Sequence, residues 1–229
     1  MENKGSSLKV GSLLLVLLLS NLLLCKTTAY TPNCNLDTGY CKIPLQDLLN
    51  RAVMVSSSIG YLTLNVFNTF NAHYTQGRGY EIHVFNSCHT TFLSTPENKQ
   101  QSQQASSEDI LNLVLSILRS WDEPLRYLAS NVRGLQEAPD IILSRVLKIT
   151  QRTKSLQEGM HVILNEIHPG IQENDAYAVW SELPSLQTAD EETRLVTTYK
   201  LLYCLRKDAI KVDTFLKILQ CRVVYNGNC

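Results

Sequence analysis

The chain has 229 residues, 44% of them hydrophobic and 7% aromatic, and its 21 basic residues balance 21 acidic ones. A formal net charge of zero gives no electrostatic case for a nucleic acid or an anionic membrane as a partner. This length supports one domain with a sizeable core, so the cysteines of that domain reinforce a core and do not replace one.

Residues 1–30 read as a secretory signal. Lys4 and Lys9 form a short basic region, and Leu13 to Leu24 form an apolar run broken only by Ser20 and Asn21. Thr27, Thr28 and Ala29 are small residues suited to cleavage, which is expected after Ala29 or Tyr30. The run is shorter than the ~20 apolar residues that span a bilayer, so secretion is expected over anchoring, with no direct membrane insertion after removal of the signal. Removal takes away Lys4, Lys9, Lys26 and Glu2 and leaves 18 basic and 20 acidic residues, a net charge of −2.

The mature domain, 31–229, carries four helical patterns. Over 44–73, Leu45, Leu48, Ala52, Val55, Ile59, Leu62, Val66 and Phe70 recur at steps of three and four, with Pro44 suited to the start. Gly77 and Gly79 mark the exit, and the polar stretch that follows has no sustained period. Ser106 to Asp109 form a cap for a helix over 106–133, along Ile110, Val114, Ile117, Trp121, Leu125, Leu128 and Val132. Pro124 lies inside it and predicts a kink, because it removes one backbone donor. The third pattern, 139–168, runs from Ile142 to Ile167 and stops at His168-Pro169-Gly170. The fourth, 190–223, reads Leu195, Thr198, Leu202, Leu205, Ala209, Val212, Leu216, Leu219 and Val223.

Each helix is roughly 42–51 Å long at the usual rise. The second and third are joined by only about five residues, so they are antiparallel neighbours, whereas links of about 32 and 20 residues let the other joined pairs run parallel. The expected fold is all-α: a four-helix up-up-down-down bundle of the long-chain cytokine type, with two long crossover loops.

Cys25 falls in the leader, and the other six cysteines admit many pairings. Spacing favours small loops closed by Cys34 with Cys41 and by Cys221 with Cys229, leaving Cys88 for Cys204. On chain-entropy grounds the small loops contribute about 2.5 kcal/mol each and the long one about 5 kcal/mol. Zinc is not expected, since no CxxC pair or matching histidine spacing occurs, and no other cofactor is implied. There is also no GxSxG or HExxH motif and no free Cys–His pairing, so an enzyme is not expected. The acidic cluster Asp190-Glu191-Glu192 is accounted for by the helix dipole. A carrier with a cavity in the bundle is a further alternative, although the core positions are ordinary Leu, Ile and Val.

Along its whole length the chain resembles the prolactin/growth-hormone family. The resemblance is carried by Asn86-Ser87-Cys88-His89-Thr90, Leu118-Arg119-Ser120-Trp121, Glu137-Ala138-Pro139, Leu156-Gln157-Glu158-Gly159-Met160, Leu183-Pro184-Ser185-Leu186-Gln187, Cys204-Leu205-Arg206-Lys207-Asp208 and the final Cys229. It implies the pairing that spacing favours, 34–41, 88–204 and 221–229, and the first pair points to the prolactin and lactogen branch. It also implies a secreted, monomeric hormone that binds two copies of a prolactin-type class I cytokine receptor and so activates kinase signalling. A placental relative with altered receptor choice is the alternative.

The first receptor site would use the fourth helix, part of the first, and the first crossover. On the fourth helix Tyr199, Tyr203, Arg206, Ile210, Asp213 and Lys217 form a stripe beside the core stripe, and Lys207, Lys211 and Phe215 flank it. Aromatic and arginine residues in such a stripe are typical of binding hot spots, where an ordinary amphipathic flank would be charged throughout. The second site would use a notch at Gly159, a residue that costs the third helix about 1 kcal/mol relative to Ala, with Arg51 on the facing wall. The chain also departs from the family pattern. Ser57-Ser58-Ile59-Gly60 replaces a His-Tyr-Ile-His run, and Tyr203 and Ile210 stand where histidines are usual. Those imidazoles would titrate near pH 6.5, so weaker pH dependence and no zinc at the first site are expected. His161 and His168 read as surface residues.

Overall fold

The computed structural model describes residues 33–34, 41–76, 78–80, 88–96, 101, 104–135, 139–170, 177–181, 183–188 and 190–227. The chain divides into two compact units, Met1–Ile43 and Pro44–Cys229. In the first, β1 (Asn33–Cys34) and β2 (Cys41–Lys42) pair antiparallel, with Cys34 opposite Cys41. The leader over 1–30, the side chains of Cys34 and Cys41, and Cys229 lie outside the described residues.

The second unit is helical. α1 (Leu45–Tyr74) follows Pro44, whose φ of −58° is preset for a helix start, and it buries Leu49, Ala52, Ile59, Val66 and Phe70 along one side. A 3-10 turn, His89–Phe92, interrupts the first crossover. α2 (Ser107–Ser120) opens on a capping box: Ser106 Oγ accepts the Asp109 N–H at 3.0 Å, and Asp109 accepts the Ser106 N–H at 3.2 Å. The Ser106 hydroxyl, donating to the Asp109 carboxylate at 2.7 Å, and the Ser106 N–H hold that carboxyl below its ordinary pKa. α3 (Asp122–Arg133) follows, then α4 (Asp140–Ile167), the short α5 (Leu183–Gln187) in the second crossover, and α6 (Glu191–Tyr225). Asp190 caps α6 by accepting the Thr193 N–H, and Asn226, at φ 51°, ends it in the left-handed region.

One helical pattern is thus two helices. The kink predicted inside 106–133 is a break at Trp121, which separates α2 from α3. Pro124 falls in the first turn of the new helix, where a missing N–H costs nothing.

Touching pairs fix the directions. Ser56 with Asp213, Asn50 with Gln220 and Phe67 with Tyr203 make α1 and α6 antiparallel. Trp121 with Asp208 and Asn131 with Thr198 make α2–α3 antiparallel to α6 as well. Hence α1 and α2–α3 run in parallel. Arg145 donates to Thr69, and Thr153 lines one small cavity with Ser56 and Ile59, so α4 opposes α1 and runs with α6. This is the up-up-down-down four-helix bundle.

The core runs its full length, from Leu49, Leu219 and Leu216 to Phe70, Ile142 and Leu195. α2 is buried on more than one side: Leu111, Leu115 and Leu118 are covered as well as Ile110, Val114 and Ile117. Each fully buried residue of this kind contributes about 1.5–3 kcal/mol of hydrophobic stabilisation. The Cys88–Cys204 disulfide joins Cα atoms 5.5 Å apart across 116 positions of sequence, and closing a loop of that length in the unfolded chain corresponds to about 5 kcal/mol. Cys221 is also disulfide-bonded.

Candidate functional site

The outer side of α6 and its seam with α1 form one continuous face. Beneath its centre lies the buried Phe67 of α1. Tyr199 and Tyr203 tilt against its ring at 5.3 and 6.2 Å between centroids, and the Arg206 guanidinium lies 5.5 Å above it. A cation held over an aromatic ring in this way contributes about 0.5–2 kcal/mol and removes much of the freedom of a long side chain. Arg206 is therefore held in a set position on this face.

Two turns further on, Asp213 joins the helices. It accepts from Ser56 Oγ at 2.8 Å, Ser57 Oγ at 2.6 Å and Lys217 Nζ at 2.6 Å. Partial burial pulls its pKa upward, but the hydrogen bonds from Lys217, Ser57 and Ser56 outweigh that, and the pKa lies below the ordinary carboxyl value. Ser57 stands where the family resemblance puts a histidine, so a hydroxyl that does not titrate in this range fills that place. Beyond it, Gln220 Nε2 donates to Asn50 Oδ1 at 2.7 Å.

The stripe read from the sequence separates by depth. Ile210 is 52% exposed, and Lys207 and Lys217 are exposed. Tyr203, Arg206, Lys211 and Asp213 are half-buried. Tyr199 and Phe215, at 3% and 4% exposure, belong to the core and not to the outer stripe. The reason is the length of α6 and the number of elements against it. The first crossover covers Tyr199 through Tyr80, whose ring lies 5.9 Å away, so the buried arc of the helix is wider there than one stripe.

The first crossover is tied to α6 at two heights. Near its start, Glu192 accepts from Arg78 Nη1 at 2.7 Å and Tyr80 Oη at 2.6 Å. Burial and the Glu192 bond raise the Tyr80 pKa. Further along, Cys88 is bonded to Cys204, and one turn on from Cys204 the buried Asp208 accepts from Thr90 Oγ1 at 2.7 Å and Trp121 Nε1 at 3.0 Å. Asp208 is 2% exposed, and its second oxygen lies 3.7 Å from Lys211 Nζ. In the sequence Glu192 reads only as part of a helix start, and Asp208 and Phe67 carry no assigned role. For Asp208 a signal existed: four positions past Cys204, it shares the helix face that carries the disulfide.

On the other side of α1, a Cβ built on Gly159 of α4 meets nothing within 4 Å, so this is open surface. Thr153 lies at the height of Ser56 and Ile59, and Gly159 is six positions further along an antiparallel helix. That sets it level with residues 50–53 of α1, the exposed Arg51 among them. Met54 is 66% exposed one turn on.

Among the described residues no three His, Cys, Asp or Glu side chains stand together as a metal site, and no helix is long and apolar enough to cross a membrane. Across the seam of α1 and α6, Ser56 and Ser57 bond Asp213, and Gln220 bonds Asn50. The family model described as the somatotropin hormone family matches residues 17–229. The chain belongs to that family, whose members are secreted signalling hormones that act on class I cytokine receptors.

Proposed function

We propose that this chain is a secreted, monomeric hormone that engages two copies of a prolactin-type class I cytokine receptor and so activates kinase signalling. The observation that carries the reading is the α1–α6 face. It places a half-exposed Ile210 between Lys207 and Lys217, beside an Arg206 already held over Phe67. An apolar centre, a preset arginine and a charged rim are the composition of a binding hot spot. Tyr203, Arg206, Lys207, Ile210, Lys211, Asp213 and Lys217 form the first receptor site, supported by the tied-down first crossover. Tyr199 and Phe215 support it from beneath. Gly159 and Arg51 belong to the second site, on the other side of α1.

A second reading is altered receptor choice. It is favoured by Ser57, Tyr203 and Ile210, where imidazoles are usual in the prolactin branch. Ser57, bonded to Asp213, puts a hydroxyl where an imidazole would titrate in mild acid. Surface plasmon resonance against soluble prolactin-receptor and growth-hormone-receptor ectodomains, at neutral and mildly acidic pH, separates the readings. Tight binding to the first receptor, nearly equal at the two pH values, supports the proposal. Binding to neither receptor overturns it. A sharp fall in acid overturns the account of the missing histidines. Light scattering of the mixture reads the stoichiometry, expected at one hormone to two receptors.

A further inference from the structure

The break between α2 and α3 is occupied. In a continuous helix the Ser120 carbonyl would accept the N–H of residue 124, but Pro124 has none. His89, from the first crossover, places Nε2 3.0 Å from that carbonyl oxygen. A carbonyl only accepts, so the imidazole donates, and Nε2 carries a proton. The ring lies edge-on to Trp121, with centroids 4.8 Å apart.

The Ser120 hydroxyl does a second job. It accepts the N–H of Ala178, in the second crossover, at 2.8 Å, and donates to the Ser116 carbonyl at 2.7 Å. Both crossovers therefore meet the bundle at one residue. In the first crossover, Cys88, His89 and Thr90 each hold a different group: Cys204, the Ser120 carbonyl and Asp208.

We propose that His89 is a positioning residue that takes the place of the backbone donor missing at Pro124, and that the α2–α3 break is thereby a docking joint for the first crossover. Pro124 creates the free acceptor and His89 uses it. The joint holds the turn His89–Phe92, where the Thr91 N–H bonds the Cys88 carbonyl and the Leu93 N–H bonds the Thr90 carbonyl. That this turn sits beside a receptor face rests on the function proposed above; the joint itself does not.

The test uses the full secreted chain with its disulfides intact, and its readouts include no receptor, so its outcome is independent of the receptor reading. Amide hydrogen exchange at Thr91 and Leu93 is compared in wild type, His89→Ala, His89→Gln, Pro124→Ala and the double variant His89→Ala/Pro124→Ala. The loss of one buried hydrogen bond predicts exchange about tenfold faster in His89→Ala. Gln carries an N–H donor at a similar reach, so His89→Gln restores most of the protection. In Pro124→Ala the new helical N–H captures the Ser120 carbonyl, so the crossover loosens although the change is in another element. Adding His89→Ala to that background then changes exchange little. Nitrogen-15 NMR of wild type shows His89 protonated at Nε2. If His89→Ala has the same effect in both backgrounds, or Pro124→Ala leaves Thr91 and Leu93 fully protected, His89 only packs on Trp121 and the proposal falls. A bare Nε2 with the proton on Nδ1 overturns it too.

Discussion

Replacing Asp208 with alanine tests whether the polar hub beside the long disulfide holds the crossover. The side chain is 2% exposed and accepts from Thr90 at 2.7 Å and Trp121 at 3.0 Å. In Asp208→Ala both donors remain buried without that acceptor, and each unsatisfied group costs about 1–3 kcal/mol. Two effects work the other way. Taking a carboxyl group out of water is itself unfavourable, and that cost disappears with the side chain. The truncation also enlarges a cavity of about 20 Å³ lined by Ser56, Trp121, Thr153 and Asp208, enough for a water that recovers part of the bonding. The net loss is expected at about 2–4 kcal/mol, or a fall in Tm of about 5–15 °C for a chain of this size. Asp208→Asn keeps one acceptor oxygen and is expected to lose about half as much. Urea unfolding of the oxidised protein, followed by tryptophan fluorescence, reads both, with the midpoint falling and the slope unchanged. A loss below about 1 kcal/mol for the alanine variant would refute the reasoning, as would an asparagine variant no better than alanine.

Three further outcomes are expected. Gly159→Arg keeps its fold, because the added side chain starts in open space, and its helix gains about 1 kcal/mol of propensity. It binds one receptor ectodomain with unchanged affinity and not a second; a one-to-two complex by light scattering would count against the notch. Ile210→Ala removes a side chain that is already half covered, so about 1 kcal/mol of further burial is lost, and Kd for the first receptor rises about five- to tenfold with little change in Tm. For Asp213 the folded pKa lies below the ordinary value, so its contribution to stability is present above the unfolded carboxyl pKa and is lost as pH falls through the lowered folded one. Asp213→Asn is therefore expected to be less stable than wild type at neutral pH and to converge with it in acid; a gap that stays the same at every pH would contradict this.

Much of the fold was legible because helix periodicity and link lengths are local properties of the chain. Steps of three and four marked each buried stripe, and the contrast between one short and two long links was enough for up-up-down-down. The candidate site was legible only in part. Ile210 and Lys217 lie on the outside where their stripe put them, as does the flanking Lys207, but Tyr199 of the same stripe is buried, and so is the flanking Phe215. Helical spacing tells which residues share a face. It does not tell how many neighbours cover the helix at a given height, and the crossover residue Tyr80 over Tyr199 has no periodicity to announce it.

The same division holds at Pro124. The sequence by itself determined that a donor is missing there and that the helix must yield. It also determined the family and the bundle topology. Only the tertiary structure decided that the freed Ser120 carbonyl takes His89, that Asp208 holds Thr90 and Trp121, and that Ser56 and Ser57 hold Asp213. Each of those pairs joins residues at least 31 positions apart, up to 157. A hydrogen bond depends on ångström-scale approach and direction, which a one-dimensional pattern does not carry and which exist only once the bundle has closed.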